Sequence, residues 1–375
     1  MTPTRAAAIE RLEAFLPRAG SKYASHRNFD HGPGDRSNIS MLSPYIRHRL
    51  ITEEEVSKRV LDYHSPRSAE KFLQEIAWRT YWKGWLEMRP AVWSDYLHDL
   101  SILPKAGAYQ QAIEGRTGLE CFDAWAKELI EYGYLHNHTR MWFASIWIFT
   151  LQLPWQLGTD FFMRHLMDAD PASNTLSWRW VAGLHTPGKH YLARAWNIEK
   201  YTSGRFNPHG QLNESAKPLP LDRSYQREPL SIAENPTPSG RVGLLISPDD
   251  LSPEPSKLGP IASTAILMPA VHTPFLEGAI HDTRLRLEAC LLEGDSGSAI
   301  SDWITRENLE HITCIKPTTG PWSGVLNGID APIHFFVNNW DRRLWPMATA
   351  GFFKLKKSLP ELHRSLAGEA QPELF

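Results

Sequence analysis

The sequence predicts a protein of two parts, in which an all-helical domain is followed by a small α/β domain. From position 51 to 180, apolar residues recur at spacings of three and four, the period of helices that bury one face. After position 241, short apolar runs alternate with helical stretches, which is typical of a sheet with crossover helices. A chain of 375 residues also exceeds the roughly 100–200 residues of a typical single domain.

The helical domain is expected to span residues 1–210 and the α/β domain residues 241–375. Between them, residues 211–240 are rich in Pro, Ser and Asn and predict a linker. Within the helical domain, Ser68 is a candidate N-cap for the helix that contains FLQEIAWRTYW.

The α/β domain is predicted from four short apolar runs, RVGLLIS, AILMPA, HITCIK and IHFFV, at 241–247, 265–270, 311–316 and 333–337. Helical patterns lie between them, notably GAIHDTRLRLEACLLEG and SAISDWITRENLE. Strands that alternate with helices indicate a small parallel sheet of the Rossmann-like type.

Composition restricts the class of protein. Three cysteines, Cys121, Cys290 and Cys314, form no CxxC pair, so neither a disulfide framework nor a cysteine-based metal site is expected. A reducing cytoplasm fits this cysteine usage. No run of about 18 apolar residues occurs, so no membrane partner is expected, and the expected state is a monomer. A net charge of −2 argues against non-specific coating of nucleic acid, although it allows a local basic groove.

Tryptophan is the unusual residue. The chain has 15, and eleven of them lie between Trp78 and Trp196. Most such residues simply fill a core. Their density in one segment nevertheless indicates a large planar ligand, a stacking surface or a path for electrons.

Four segments in order carry a family resemblance: SNISMLSPYI, FLQEIAWRTYW, GRTGLECFDAWAKEL and the stretch from YGYLHNHTRMW to DADPASNTLSWRW. They resemble the phosphate loop, the E-x-x-W-R helix, the G-x-T-G segment and the flavin-binding segment of photolyases and cryptochromes. The resemblance covers residues 23–208 and implies an all-α FAD-binding domain of the photolyase type.

The resemblance implies that FAD is the cofactor. Arg140 would pair with Asp168 beside the flavin ring, Asp168 and Asp170 would accept hydrogen bonds from it, and Asn174 would face its N5. The full set that the resemblance assigns to FAD is Tyr23, Ile39, Ser40, Met41, Leu42, Ser43, Phe72, Arg140, Asp168, Asp170 and Asn174. Ile39 and Met41 depart from the family pattern, where Thr and a basic residue are frequent. Without the flanking motifs, solvated loop acids and a surface arginine would explain the charged residues equally well.

The resemblance also implies light-driven repair of cyclobutane pyrimidine dimers in DNA by electron transfer from excited, reduced FAD. Glu75 would hydrogen-bond the dimer bases, and Asn137 would replace the histidine of six-four-type enzymes. Residues that would contact DNA are Arg27, Trp78, Arg79, Met141 and Trp180. Taken singly, each of these has an ordinary structural explanation, such as a surface acid or a core tryptophan.

An electron path to the flavin is implied only in part. Trp155 and Trp178 match the two inner tryptophans of the family's chain and are counted with Glu75 and Asn137 as catalytic. The outer position corresponds to Ile102, which cannot take part, so Trp142, Trp147 or Trp93 would have to replace it.

A local basic face would bind DNA phosphates, and its candidates are Arg27, Arg36, Arg47, Arg49, Arg79, Lys83 and Lys189. A scatter of charge of this kind is more often a solvated surface.

Domain order departs from the family pattern. Family members place an α/β antenna domain before the helical domain, whereas here the α/β region follows it. It is either an antenna-like domain in swapped order, whose second chromophore is unknown, or an output module. The alternative function is therefore a cryptochrome-like blue-light photoreceptor that signals through the C-terminal domain. A flavin oxidoreductase is a weaker third hypothesis, because no GxGxxG is present.

Overall fold

The computed structural model describes residues 1–105, 107–221, 223–232, 238–253, 258–270, 272–294, 296–326 and 329–368. They fall into two compact units. The first unit comprises Met1–Pro17, Leu42–Met88 and Glu228–Phe375, and the second comprises Arg18–Met41 and Arg89–Arg227. Two early segments thus pack with the α/β region, while the domain boundaries at 210 and 241 stay a prediction.

Helices make up most of the described chain. In chain order they are α1 Arg5–Phe15, α2 Ser21–His26, α3 Ser43–Arg47, α4 Glu53–Tyr63, α5 Pro66–Glu87, α6 Ala91–Ile102, α7 Ala108–Ile113, α8 Glu120–Tyr132, α9 Asn137–Ser145, α10 Trp155–His165, α11 Pro171–Ala182, α12 Ala195–Tyr201, α13 Pro274–Arg286, α14 Ser296–Glu307, α15 Asn339–Leu344, α16 Phe352–Lys356 and α17 Leu359–Leu366. A π-helical turn, Ile146–Thr150, continues α9. None of the helices in the described ranges has the length and apolarity that crossing a bilayer requires.

Capping residues explain where the central helix of the first unit begins. Helix α5 has Ser65 as its N-cap and Pro66 in its first turn, and the Ser68 amide donates to Ser65 Oγ at 3.3 Å. The prediction of Ser68 as the cap was therefore wrong by three residues. Pro66 is well suited to the first turn, where its missing N–H has no helical partner to lose.

The first unit contains a five-stranded sheet: β1 Val242–Ile246, β2 Ser263–Leu267, β3 Cys290–Leu292, β4 His311–Ile315 and β5 Ile333–Phe336. All paired strands are parallel, in the order β3-β2-β1-β4-β5. The predicted parallel α/β region is confirmed. Strand β3 was missed because its three residues follow directly on the helical pattern of α13.

Trp303 forms the centre of the core on one face of the sheet, among Leu245, Ala265 and Ile312. A Cβ at Gly243 in β1 would lie 2.6 Å from the Trp303 ring. Only glycine therefore lets the indole approach the strand this closely.

Three basic residues that were predicted to face DNA are buried instead. Arg47 pairs with Asp249 at 2.9 Å, Arg49 is 2% exposed, and Lys83 is 4% exposed. Arg49 contacts Glu53, Asp250 and Asp341 at 3.1, 3.1 and 2.6 Å. These acids surround Arg49 because the turn after α3 packs against the residues that follow β1. Arg47, Arg49 and Lys83 therefore do not belong to a DNA-binding face.

Candidate functional site

A buried ion pair between Arg140 and Asp168 forms the centre of the candidate site in the second unit. Arg140, on α9, donates from Nη2 to Asp168 Oδ2 at 2.9 Å and from Nε to the Leu135 carbonyl at 2.9 Å. Its guanidinium also lies 5.1 Å from the centroid of the Tyr134 ring. Burial alone would lower the pKa of Arg140, but the Asp168 carboxylate outweighs it and the pKa is raised. Arg140 therefore keeps its positive charge at the site.

Helix α11 supplies the next two residues of the site. Asp170 is its N-cap and accepts a hydrogen bond from the Ser173 amide at 2.7 Å. One turn further on, Asn174 donates from its side-chain amide to the Thr159 carbonyl of α10 at 2.9 Å. Because this bond uses the nitrogen, the Asn174 side-chain oxygen serves as the acceptor. The same helix buries the hydroxyls of Ser173 and Thr175, for which the described residues provide no hydrogen-bond partner.

The remaining residues assigned to FAD are divided between the two units. Tyr23 lies on α2 of the second unit, as does the loop with Ile39, Ser40 and Met41, while Leu42, Ser43 and Phe72 belong to the first. Met41 has a φ of 56°, a left-handed conformation that is uncommon for a residue with a side chain. Leu42 and Phe72 are core residues, 1% and 4% exposed.

Helix α5 of the first unit carries three residues assigned to substrate. Glu75, Trp78 and Arg79 are all half-buried, and Arg79 donates to the Ser43 carbonyl at 3.4 Å. The Trp78 ring is stacked on Phe352 of α16, with centroids 3.8 Å apart and planes 10° apart.

Four further predicted residues of the second unit keep access to solvent. Asn137, the first residue of α9, is exposed, whereas Met141, Trp180 and Arg27 are half-buried. The Trp180 ring lies 5.9 Å from Tyr191 at an angle of 24°. These four side chains remain available to a ligand.

The aromatic residues of α6, α10 and α11 form two short chains of ring contacts. Trp155 lies 5.9 Å from Tyr96, and Tyr96 lies 5.2 Å from Trp93. Trp178 meets Trp147 edge to face at 6.1 Å. Its indole packs so closely on α10 that a Cβ at Gly158 would lie 2.3 Å from it. At the position of the missing outer tryptophan, Ile102 is 69% exposed.

A second buried charge cluster of this unit was not foreseen. Asp30 is fully buried and contacts Arg36 at 2.9 Å, Arg205 at 2.6 Å and the Thr139 hydroxyl at 2.9 Å. Arg36 also pairs with Glu128, so it is no part of an exposed basic face. Asp30 lies among glycines in DHGPGD, which gives no signal of burial in the sequence. The cluster fixes the loop before α3 to α9 of the same unit.

Comparison with known proteins identifies the matching region. Residues 72–214 match the family model described as the FAD binding domain of DNA photolyase. A deoxyribodipyrimidine photo-lyase of Alkalihalophilus pseudofirmus is 31% identical over 202 residues, 49% of this chain and 39% of the relative. One of Agrobacterium fabrum is 31% identical over 189 residues, 48% of this chain and 39% of the relative.

Among solved structures, a bacterial class III photolyase from Agrobacterium tumefaciens is 27% identical with a TM-score of 0.46. That match covers 53% of this chain and 43% of the other. This chain thus spans about two fifths of the length of the curated relatives it matches.

Proposed function

We propose, from the premise that this chain belongs to the photolyase/cryptochrome family through residues 72–214, that it repairs cyclobutane pyrimidine dimers in DNA with light. Its cofactor is FAD. The observation that carries the proposal is the buried Arg140–Asp168 pair beside Asn174.

The residues of the second unit fit a flavin ring. A flavin presents N–H donors and carbonyl acceptors along one edge. Asp168 and Asp170 offer buried carboxylate oxygens, and Asn174 offers an amide oxygen whose orientation is fixed by its bond to Thr159. Arg140 compensates the charge of Asp168, which would otherwise be costly to bury. The partnerless buried hydroxyls of Ser173 and Thr175 are consistent with a polar ligand near α11.

FAD, when bound, reduced and excited by light, supplies the electron that splits the dimer. The protein binds and orients the damaged bases and excludes water. We propose that the Glu75 carboxyl holds the flipped bases by hydrogen bonds, and that Asn137 contacts them as well. Trp78 and Trp180 would stack on the bases and Met141 would form an apolar wall. A dimer pairs weakly with the opposite strand, which lowers the cost of flipping it out.

Phosphates beside the lesion would be bound by Arg27 and Arg79. Such contacts are independent of sequence and weaken as salt concentration rises. Lys189 is exposed and is a further candidate.

Electrons would reach the flavin through Trp178 and Trp155, and we propose that Tyr96 and Trp93 extend the path from Trp155. The ring separations of 5.9 and 5.2 Å support this extension. Burial raises the pKa of Tyr96. Its phenol therefore stays protonated at neutral pH.

Replacing Trp155 or Trp178 by phenylalanine should slow photoreduction of the oxidised flavin strongly, because each change removes an indole from the path. Trp93→Phe should slow it too, whereas Trp142→Phe, which removes an equally buried indole outside the proposed path, should not. Flavin absorbance during blue-light illumination measures the rate. Wild-type rates in both Trp155→Phe and Trp178→Phe would show that electrons take another path.

The strand order of the α/β region supports a Rossmann-like fold in our proposal. In open sheets of this order, ligands bind at the carboxyl ends of the strands where the order reverses, here between β1 and β4. Asp249 and Asp250, directly after β1, are engaged by Arg47 and Arg49. Thr318, after β4, donates to Asp249 at 3.1 Å. The chain's own side chains thus fill this edge, which argues against a second chromophore there.

One observation favours the alternative of a blue-light photoreceptor. The ring of Phe352 covers a face of Trp78, and a stacking wall for damaged bases would need such a face free. A receptor that does not bind lesions has no such requirement.

Lesion binding in the dark separates the two functions. The FAD-loaded protein should bind a dimer-containing oligonucleotide more tightly than the same oligonucleotide without damage. Equal affinity for both at every salt concentration would count against repair and in favour of the receptor.

A further inference from the structure

A segment near the C-terminus runs along one face of α5. Trp340 donates from its indole to the Thr80 hydroxyl at 2.7 Å. Trp345 packs so closely that a Cβ at Gly84 would lie 2.8 Å from its ring. Further along the segment, Lys356 pairs with Glu70 at 3.1 Å. We call residues 340–356 the strap.

Phe352 makes the most specific contact of the strap. Its ring is nearly parallel to that of Trp78 at a centroid separation of 3.8 Å, and its edge meets Tyr81 at 5.8 Å. Phe352 is 4% exposed, whereas its neighbour Phe353 is 75% exposed. The chain therefore directs one of two adjacent phenylalanines onto Trp78 and leaves the other in solvent.

The geometry of this contact is that of a stacked base. Proteins that hold unpaired bases stack them on the faces of aromatic side chains, because every base has a π face. A parallel ring at 3.8 Å occupies the volume in which a base would lie against the same face of Trp78. Phe352 and a base cannot share that face.

We propose that the strap is a built-in competitor of the damaged base: Phe352 stacks on Trp78 in the resting protein and must leave it when a flipped lesion binds. This inference rests on the proposed function, since it takes Trp78 as a stacking wall for the dimer. It adds regulation of that site by a segment outside the region that matches the family, residues 72–214.

The strap is suited to release Phe352 without unfolding. Its firm contacts, Trp340 with Thr80 and Trp345 with Gly84, lie before Phe352 in the chain. Phe352 begins a helix of five residues that follows Gly351. The stack alone is a modest interaction, of the size that a base stacking on Trp78 can replace.

The test compares Phe352→Ala and Phe352→Leu with the matched control Phe353→Ala in the FAD-loaded protein. Affinity for a dimer-containing single-stranded oligonucleotide is measured in the dark, so that no repair occurs. Both Phe352 variants should bind roughly two- to tenfold more tightly than wild type, because the competing stack is gone. Phe353→Ala should bind like wild type. Thermal unfolding identifies a variant that fails to fold, and Phe352→Leu keeps an apolar side chain in the site for that case.

Unchanged or weaker lesion binding by folded Phe352→Leu, in a protein whose wild type prefers damaged DNA, overturns the strap as a competitor and leaves the proposed function intact. A wild type and variants that all fail to prefer damaged DNA overturn the proposed function, and the competitor with it.

Discussion

Asp168→Ala should yield a protein that retains almost no FAD. The substitution leaves the Arg140 guanidinium buried without its carboxylate, and breaking a buried pair in this way costs on the order of 3–5 kcal/mol. It also removes an acceptor that we assign to the flavin. Absorbance of the purified protein near the flavin bands gives the number of FAD molecules per chain, and fluorescence titration of the apoprotein gives the affinity.

The matched control is Asp160→Ala in the same unit. Asp160 pairs with Arg164 at 3.2 Å, but the Arg164 side chain is 44% exposed, so this pair is solvated and worth little. The control should retain FAD. Circular dichroism of both variants distinguishes loss of cofactor from loss of fold. Full flavin occupancy in folded Asp168→Ala would mean that the flavin ring does not lie against Asp168.

Glu75→Gln and Glu75→Ala should both impair repair while the flavin spectrum stays that of the wild type. A hydrogen bond to a charged group contributes about 1.5–3 kcal/mol, so losing the proposed bonds to the dimer should weaken lesion binding roughly tenfold or more. Glu75→Gln keeps the shape and should retain more affinity than Glu75→Ala. The quantities to measure are the affinity for dimer-containing DNA and the quantum yield of dimer splitting.

An exposed acid of the same unit, Glu361, provides the control for this series. Glu361→Gln makes the same change of charge without touching the proposed contact, and it should repair like wild type. If Glu75→Ala repairs as well as Glu361→Gln, Glu75 does not hold the bases.

The ion pair at the flavin site illustrates what the sequence can reveal. Arg140 and Asp168 are 28 positions apart, and nothing in their spacing predicts a contact. The surrounding motifs made the prediction possible, because they place both residues in one family pattern. The capping role of Asp170 was also within reach, since an Asp before Pro171 is a typical helix start.

Contacts between distant parts of the chain lay beyond the sequence. Arg47 and Arg49 read as surface cations because their partners, Asp249 and Asp250, lie about two hundred positions away in a region without a recognised motif. The same holds for Trp78, whose ring is covered by Phe352. Hydrophobic period shows that a helix face is buried, but it does not show which segment buries it.

Light-driven repair by the reduced, FAD-loaded wild-type protein is the measurement that tests the central proposal most directly. The substrate is an oligonucleotide with a single thymine dimer, illuminated with blue light and followed by the recovery of thymine absorbance, with a dark sample alongside. We expect the dimer to be split in the light, not in the dark, and not in Asp168→Ala. Absence of splitting by fully reduced, FAD-replete protein at saturating DNA would contradict the assignment of repair.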